Sequence, residues 1–377
     1  MKYKRIVIKI GTSLITEKDG DLNYKFISNL SKVCMKLIEL NYEIVLISSG
    51  AVGAGMQLIN KKLIDNINQK QTSVKQVLAS LGQPYLMKHY QEIFDKLDIK
   101  TSQILLTRKE ITEDKSTYLN IKNTIEKLIE FKIIPIINEN DVVSTEELEG
   151  EKFGDNDTLS AFVSNIIDAN LLIILSTIEG LFTTDPNLYP QSAKLISEIK
   201  NVGIRDIDSL GGPTTNNLGT GGMNTKLKAI ELASVSGTDV IIASGKNPDN
   251  ILKIINGEKI GTFFPAKLKI IERKKRWLLN NMSRSKSLTV DEGAKNAILQ
   301  NNTSLLPPGI ISVSGSFKAG EVICILDKKK QLIACGITSY SNKEINKIKG
   351  KQSTDIINNL GYIHTEEIIH KNNLVNL

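Results

Sequence analysis

The sequence predicts an α/β protein, a three-layer α/β/α sandwich with a mainly parallel sheet, followed by a small C-terminal domain resembling a β-barrel. From residue 4 to about residue 265, short β-branched runs alternate with longer amphipathic segments, which indicates strands joined by helices. The runs are apolar along their length, and this is typical of parallel strands buried on both faces. After residue 265 the segments become shorter and glycines separate them, which favours a second domain of short strands.

The predicted strands of the first region end in glycines and polar residues. These strands are KRIVIKI (4–10), EIVLISS (43–49), QILL (103–106), KIIPIIN (132–138), NLLIILS (170–176) and TDVIIAS (238–244). A helix is predicted near 24–40, between the first two strands. Ligands of open parallel sheets bind outside the carboxyl ends of the strands. We therefore expect the functional site at that edge.

The C-terminal region contains shorter predicted strands and helices than the first region. LTVDEGAKNAILQ (288–300) predicts a strand followed by a short helix, while 307–325 and 331–340 alternate like barrel strands with glycines at the turns. A basic stretch, ERKKRW (272–277), precedes them. We predict a catalytic domain over 1–265, a linker over 266–283, and a small domain with the C-terminal tail over 284–377.

Composition indicates a cytoplasmic globular protein without a membrane segment. Of 377 residues, 41% are hydrophobic and 24% charged, and no apolar stretch approaches the roughly 20 residues that span a bilayer. The three cysteines are widely spaced and lack metal-ligand partners, so we expect a reducing compartment and no structural metal site. The net charge of +7 indicates either an anionic partner or simply a lysine-rich composition.

Two glycine-containing turns follow the first two strands. Gly11 follows Ile10 at the end of the first strand, and Lys9, just before Ile10, is the one charged residue within the apolar strand end. Burying this lysine is costly unless its ammonium group reaches a partner; the alternative is a side chain that extends to water. The second turn, at residues 49–55, contains Gly50, Gly53 and Gly55 and permits close approach of either a ligand or another helix.

A third glycine-rich turn, residues 219–222, leads into the predicted helix MNTKLKAIELASVS. Free amide groups and the positive dipole end of a helix N-terminus attract anions, and Lys226 lies in its first turns. We predict that Lys226 reaches a transferring phosphoryl group. The alternative is a flexible loop with a solvated lysine.

Acidic residues come from two other loops. Asp155, Asn156 and Asp157 open the predicted helix TLSAFVSNII, and Asp141 follows the KIIPIIN strand. A helix N-cap explains one of these residues but not all three.

In order and spacing, KIGTS, ISSGAVGAG, INENDVV, GDNDTLSA and GTGGMNTK resemble the glutamate 5-kinases of the amino acid kinase family. TVDEGA, SLLPPGI and VSGSFKAGEV resemble the PUA domain that many bacterial members carry. The resemblance runs over nearly the full length. It implies ATP-dependent phosphorylation of the γ-carboxylate of L-glutamate with Mg²⁺, the first step of proline biosynthesis. It also implies feedback inhibition by proline and a homo-oligomer, dimeric or tetrameric.

The resemblance assigns roles to individual residues. The implied catalytic residues are Lys9, Lys226 and Asp157. The implied glutamate-binding residues are Ser49, Gly50, Asn138, Asp141, Asp155 and Asn156. The implied ATP-binding residues are Lys9, Gly11, Ser176, Thr177, Thr220, Gly221, Gly222, Met223, Asn224, Thr225 and Lys226. Two positions depart from the family pattern, because many relatives carry aspartate where Thr177 stands and serine where Asn224 stands.

The chemistry explains why none of these motifs contains histidine. A glutamate carboxylate has a pKa of about 4.3, so the nucleophile is ionised near neutrality and needs no general base. Competing hypotheses are another amino acid kinase, acting on aspartate, N-acetylglutamate, carbamate or a nucleoside monophosphate, and an RNA-binding protein. The second rests on the PUA-like tail and the basic residues of 272–286.

Overall fold

The structure, a computed structural model, describes residues 2–17, 21–59, 71–107, 110–111, 115–144, 156–184, 186, 188–200, 223–267, 278, 283–301 and 303–376. It divides into two compact units, Met1–Ile270 and Ile271–Leu377. Most of the predicted linker, 266–283, lies outside the described residues, so its boundaries stay predictions. No helix in the described ranges combines the length and apolar character needed to cross a membrane.

The first unit is built on a seven-stranded sheet. Its strands are β1 (Arg5–Ile10), β2 (Glu43–Ile47), β3 (Thr101–Leu106), β4 (Ile134–Glu139), β5 (Leu171–Ser176), β6 (Asp239–Ser244) and β7 (Thr262–Phe264). They lie in the order β3-β4-β2-β1-β5-β6-β7. All neighbours are parallel except β6 and β7. β1 is central because β2 pairs with one side of it and β5 with the other.

Eight helices accompany this sheet in the described part of the unit. They are α1 (Thr12–Ile15), α2 (Tyr24–Glu39), α3 (Ala51–Leu58), α4 (Thr72–Asp95), α5 (Lys115–Glu130), α6 (Asn156–Ile166), α7 (Met223–Val235) and α8 (Asn250–Ile255). One apolar core joins α2, α4 and α8 to Ile6 and Ile8 of β1. The other joins α5, α6 and α7 to Val7 of the same strand. Because side chains alternate along a strand, the sheet is covered on both faces, and the predicted three-layer sandwich is confirmed.

Helices α3 and α4 pack with their backbones in contact. A Cβ atom added to Gly82 would lie 1.9 Å from the Ala51 carbonyl oxygen, and one added to Gly55 would lie 1.9 Å from the Leu78 carbonyl oxygen. Gly50, with φ of +95°, begins α3 in the left-handed conformation that glycine adopts without strain. Of the two roles that the sequence left open for this turn, close helix packing therefore explains Gly55.

The second unit contains a five-stranded sheet in the order β12-β11-β10-β8-β9. The strands are β8 (Ser283–Val290), β9 (Ile310–Ser314), β10 (Val322–Leu326), β11 (Leu332–Ile337) and β12 (Leu374–Asn376). The helices are α9 (Glu292–Asn301), α10 (Asn342–Ile348) and α11 (Ile356–Leu360), with short 3₁₀ turns at Pro307–Gly309, Ser353–Asp355 and Lys371–Asn373. β8 and β10 are parallel, and the other neighbours are antiparallel. The unit has an apolar core of its own.

Candidate active site

Two lysines and one aspartate, distant in sequence, meet at the carboxyl edge of the seven-stranded sheet. Lys9 lies near the end of the central strand β1, opposite Ile47 of β2 and Ile174 of β5. It lies two residues after Val7 in the strand, so its side chain points to the same face, the one that α6 and α7 cover. Asp157 lies in the first turn of α6, and Lys226 lies in the first turn of α7.

Each carboxylate oxygen atom of Asp157 forms an ion pair with a different lysine. Lys9 Nζ lies 2.6 Å from Asp157 Oδ1, and Lys226 Nζ lies 3.0 Å from Asp157 Oδ2. The Thr225 hydroxyl also donates to Oδ2, at 3.3 Å. Relative exposure is 4% for Lys9, 7% for Lys226 and zero for Asp157. The alternative of a solvated lysine is therefore excluded at both positions.

The electrostatics of the cluster keep Asp157 ionised. Burial alone would raise the pKa of this carboxyl group, but the two ammonium groups stabilise the charged form more strongly and hold its pKa far below the usual range. An ammonium group has three N–H donors, so one bond to Asp157 does not exhaust its hydrogen-bonding capacity. The cluster therefore fixes two cationic groups in one place and orientation.

A second set of polar side chains adjoins this cluster. The Asn156 side-chain amide donates to Ser49 Oγ at 3.1 Å, which joins the start of α6 to the second residue beyond β2. Asn138, at the end of β4, donates to Gln83 Oε1 at 2.8 Å and accepts from the Glu139 amide at 3.0 Å. All of these side chains are buried. Two polar contacts hold the buried Asn138 amide in one orientation, which suits it to recognise a polar ligand.

Asp141 occupies the turn that follows β4. It is 8% exposed, and burial raises the pKa of its carboxyl group to about 6. A carboxylate in such a place is stabilised by an arriving cation, because the desolvation that raises its pKa also strengthens the attraction to an opposite charge. Asp141 is thus suited to bind an ammonium group of a ligand.

The predicted nucleotide-binding positions are only partly within the described residues. Ser176 is half-buried at the end of β5, and Thr177 after it is exposed. The backbone amide of Gly11 donates a hydrogen bond to the Leu175 carbonyl oxygen, at 3.3 Å. Met223 begins α7, and Asn224 follows it in the helix, although its side chain is not among those described. Asp155, Thr220, Gly221 and Gly222 lie outside the described residues.

Sequence reasoning missed Gln83. This glutamine lies on the buried side of α4, next to Gly82, and its side-chain oxygen holds the amide of Asn138. A buried glutamine within an otherwise apolar helix face was the signal that could have identified it. Its partner could not be identified from sequence, because the contact joins residues 55 positions apart.

The described carboxylates do not form a resident metal site. No group of three or more His, Cys, Asp or Glu side chains is placed to hold a metal ion within the ranges that the structure describes. Asp157 is committed to two ammonium groups. Mg²⁺ keeps most of its ligands as waters and substrate phosphates, so these residues fit an ion that arrives with a nucleotide rather than one held by the chain alone.

Comparison with known proteins finds relatives over nearly the whole chain. Residues 4–244 match the amino acid kinase family, and residues 286–360 match the PUA domain. A glutamate 5-kinase of Dehalococcoides mccartyi strain CBDB1 is 43% identical over 373 residues, covering 99% of this chain and 98% of the relative. Glutamate 5-kinases of Dictyoglomus turgidum and Thermoanaerobacter sp. strain X514 are 42% and 39% identical, covering 99% and 98% of this chain and 97% of each relative.

Proposed function

The chain belongs to the glutamate 5-kinases of the amino acid kinase family, and we propose that it transfers the γ-phosphoryl group of ATP to the γ-carboxylate of L-glutamate. The products are ADP and L-glutamate 5-phosphate. The observation that carries this proposal is the buried cluster in which Lys9 and Lys226 share Asp157. Two fixed ammonium groups at the ligand-binding edge of the sheet suit the transfer of an anionic group between two anions.

The transfer needs charge stabilisation more than proton transfer. A carboxylate oxygen of glutamate forms the new bond to the γ-phosphorus, and the bond to the β,γ-bridging oxygen breaks with its electrons leaving on ADP. The nucleophile is already ionised near neutrality, which agrees with the absence of histidine from the cluster. Two unit charges 4 Å apart interact by about 4 kcal/mol at an effective dielectric constant near 20. Lys9 and Lys226 offset this repulsion and stabilise the charge on the phosphoryl oxygens.

Asp157 has a positioning role in this proposal. It remains ionised through the reaction because two cations hold its pKa low, and it keeps both lysines in place before the substrates bind. Positioning of this kind lowers the reorganisation required at the transition state.

We assign glutamate recognition to the second set of polar residues. Asp141 pairs with the α-ammonium group, while Ser49, Asn138 and Asn156 contact polar groups of the amino acid. The hydrogen bonds that join Asn156 to Ser49 and Asn138 to Gln83 support this assignment. Gly50, which adopts a positive φ, and Asp155 belong to this set by resemblance.

We assign ATP to the edge formed by the ends of β1 and β5 and the start of α7. Lys9, Gly11, Ser176 and Thr177 contribute from the strands, and residues 220–226 contribute from the helix start and the loop before it. Support comes from the N-terminal position of Thr225 and Lys226 in α7, where amide groups favour anions. Mg²⁺, bound with the ATP phosphates, supplies further charge neutralisation.

The wider role follows from the resemblance. The proposal includes the first step of proline biosynthesis, inhibition by proline at a site overlapping that of glutamate, and a homo-oligomer of two or four chains. RNA binding by the PUA domain as a secondary activity and a cytoplasmic location stay predictions. Most of the basic patch invoked for RNA, within 272–286, lies outside the described residues.

Acceptor specificity tests the proposal. The purified protein is incubated with ATP and Mg²⁺ and with glutamate, aspartate, N-acetylglutamate, carbamate or UMP, and ADP release is measured. Hydroxylamine traps an acyl phosphate as a hydroxamate. We expect hydroxamate with glutamate and ADP release at least about tenfold above that with the other acceptors, a conservative threshold for a site that discriminates through polar contacts. Faster release with another acceptor rejects the glutamate assignment, and added proline tests the inhibition.

A further inference from the structure

A pair of cysteines faces each other across two strands of the second unit. Cys324 of β10 lies directly opposite Cys335 of β11 in an antiparallel ladder. Directly opposed residues point to the same face of a sheet, with Cα atoms roughly 4.5 or 5.5 Å apart depending on the kind of pair. Disulfide-bonded cysteines have Cα separations of roughly 4.4–6.8 Å. The ladder therefore gives the two cysteines a backbone separation that is compatible with a disulfide.

The hairpin turn beyond the two cysteines is anchored by hydrogen bonds, and a register shift between Ile325 and Leu326 separates it from their position in the ladder. Asp327 Oδ1 accepts from the amides of Lys329 and Gln331, both at 2.9 Å, and the Asp327 amide donates to the Gln331 carbonyl oxygen at 2.9 Å. Lys295 of α9 binds the other carboxylate oxygen at 2.9 Å. With the turn anchored in this way, a slip of the strands that would separate the cysteines is disfavoured.

Packing of the main core does not account for the pair. Ile323 and Ile325 of β10 and Ala334 of β11 belong to the apolar core of the unit. Residues that alternate with them point to the opposite face, and the two cysteines are at these alternate positions. Both are buried, and the Cys324 thiol contributes, after burial itself, to raising the pKa of Cys335 to about 11. The two sulfur atoms thus lie close enough to influence each other.

We propose that Cys324 and Cys335 form a dithiol site that oxidises to an intramolecular disulfide. With glutathione disulfide as oxidant, one cysteine thiolate attacks a glutathione sulfur and releases one glutathione thiol. The second cysteine then attacks the resulting mixed disulfide and releases the other glutathione thiol. The two protein sulfurs are oxidised, glutathione disulfide is reduced to two thiols, and the two cysteine protons remain on the products. Burial slows the first step because little thiolate is present at neutral pH.

The third cysteine provides an internal control. Cys34 lies in the apolar core of the first unit, where burial raises its pKa to about 12. The chain has three cysteines, and the other two lie in the second unit. Cys34 should therefore remain a thiol under conditions that oxidise the opposed pair.

Thiol counting on the full chain tests the proposal. The native protein is exposed to glutathione disulfide, quenched with acid, unfolded and alkylated, and its mass is measured. We expect alkylation to fall from three sites to one, with the peptides containing Cys324 and Cys335 linked after cleavage at the lysines between them. Cys324→Ser and Cys335→Ser should give no linked peptide, and the variant that keeps the attacking cysteine should stop at the glutathione adduct, because no second thiol resolves it.

Two results would overturn the proposal. One is alkylation at three sites after prolonged exposure of the wild-type protein. The other is stable glutathione adducts or intermolecular dimers in place of the linked peptide. Both results can be read on the wild-type chain, so failure of a serine variant to fold does not affect the outcome. Kinase activity is not part of the readout, so this test is independent of the proposed reaction.

Discussion

At the residue scale, Asp157 organises the site because it is the common partner of two buried cations. The Asp157→Asn variant removes the negative charge and leaves both ammonium groups beside a neutral amide. Breaking a buried ion pair in this way costs about 3–5 kcal/mol. We expect a loss of that size in the free energy of unfolding, measured with urea at pH 7.

The control for this variant is Asp168→Asn. Asp168 pairs with Lys122 at 3.0 Å but is 24% exposed, so water compensates part of the loss and the cost should be smaller. An equal loss in the free energy of unfolding for the two variants would contradict the conclusion that Asp157 is the common partner of two buried lysines. Because its native pKa is depressed, the contribution of Asp157 is fully present above about pH 4 and is lost only in stronger acid.

The raised pKa of Asp141 predicts how the activity with glutamate depends on pH. Its pKa near 6 means that the ionised form, which we propose to bind the ammonium group of glutamate, falls about tenfold per pH unit below that value. For the wild-type protein, kcat/KM for glutamate should decline below pH 6. The Asp141→Asn variant should show a raised KM for glutamate, a smaller change in kcat, and no such decline. An unchanged KM, or the same acid limb in the variant, would reject the assignment.

The same substitution should not weaken the fold. A carboxyl group whose pKa is raised on folding binds a proton more tightly in the native state, so its contribution to stability decreases as pH rises from about 4 to 6. The shift from 3.8 to about 6 corresponds to roughly 3 kcal/mol at neutral pH. Asp141→Asn removes that cost, and its melting temperature at pH 7 should equal or exceed that of the wild-type protein.

At the element scale, the contact between α3 and α4 positions the residues that we propose to bind glutamate. Gly82→Ala would place a methyl group 1.9 Å from the Ala51 carbonyl oxygen and 2.3 Å from the Gly55 amide. These are backbone atoms, so the helices must separate, and overpacking of this kind costs about 1–3 kcal/mol or more. We expect lower stability together with a raised KM for glutamate, because Gln83 and the start of α3 move with the helices.

A glycine in open surroundings gives the matched control. At Gly293, in the first turn of α9, an added Cβ would meet only the Asp291 side chain, at 3.4 Å. Gly293→Ala should be neutral or stabilising by up to about 1 kcal/mol through helix propensity. If Gly82→Ala behaved like this control in thermal unfolding, the close contact of α3 and α4 would not exist in solution.

The sequence predicted which segments form strands and helices more completely than it predicted how the strands pair. Six apolar runs of the first region correspond to β1 to β6 because buried parallel strands have a distinctive composition. Two short strands were missed. β7 and β12 each have three residues, which is too short for periodicity to register. The parallel pairing of β8 with β10 depends on long-range contacts that no local pattern encodes.

The candidate site shows the same difference between local and long-range information. Lys9, Asp157 and Lys226 were identified because each is a charged or glycine-associated residue next to a strand end or helix start. The hydrogen bond from Asn138 to Gln83 was missed because it joins residues 55 positions apart, and Gln83 lies inside a helix, away from any strand end or helix start. The structure adds that both lysines bind the same carboxylate, a relation that residue types and spacing do not express.

At the scale of the whole molecule, the two units have separate apolar cores. Domains with their own cores often unfold independently, so differential scanning calorimetry should resolve two transitions. A non-hydrolysable ATP analogue with glutamate should raise the transition of the first unit only, by RT ln(1 + [L]/Kd). A single transition that moves as one with ligand would show that the units unfold together.

The central claim is that Lys9 and Lys226, held by Asp157, stabilise the transferring phosphoryl group. The most direct measurement is kcat for ATP-dependent hydroxamate formation from glutamate in Lys226→Met and Lys9→Met, with Lys122→Met as control. Lys122 is also a buried, ion-paired lysine, but its partner Asp168 precedes β5, at the opposite edge of the sheet. We predict at least about a 10²-fold loss of kcat in the first two variants and a near-normal kcat in the control. Near-normal turnover in Lys226→Met would contradict the account.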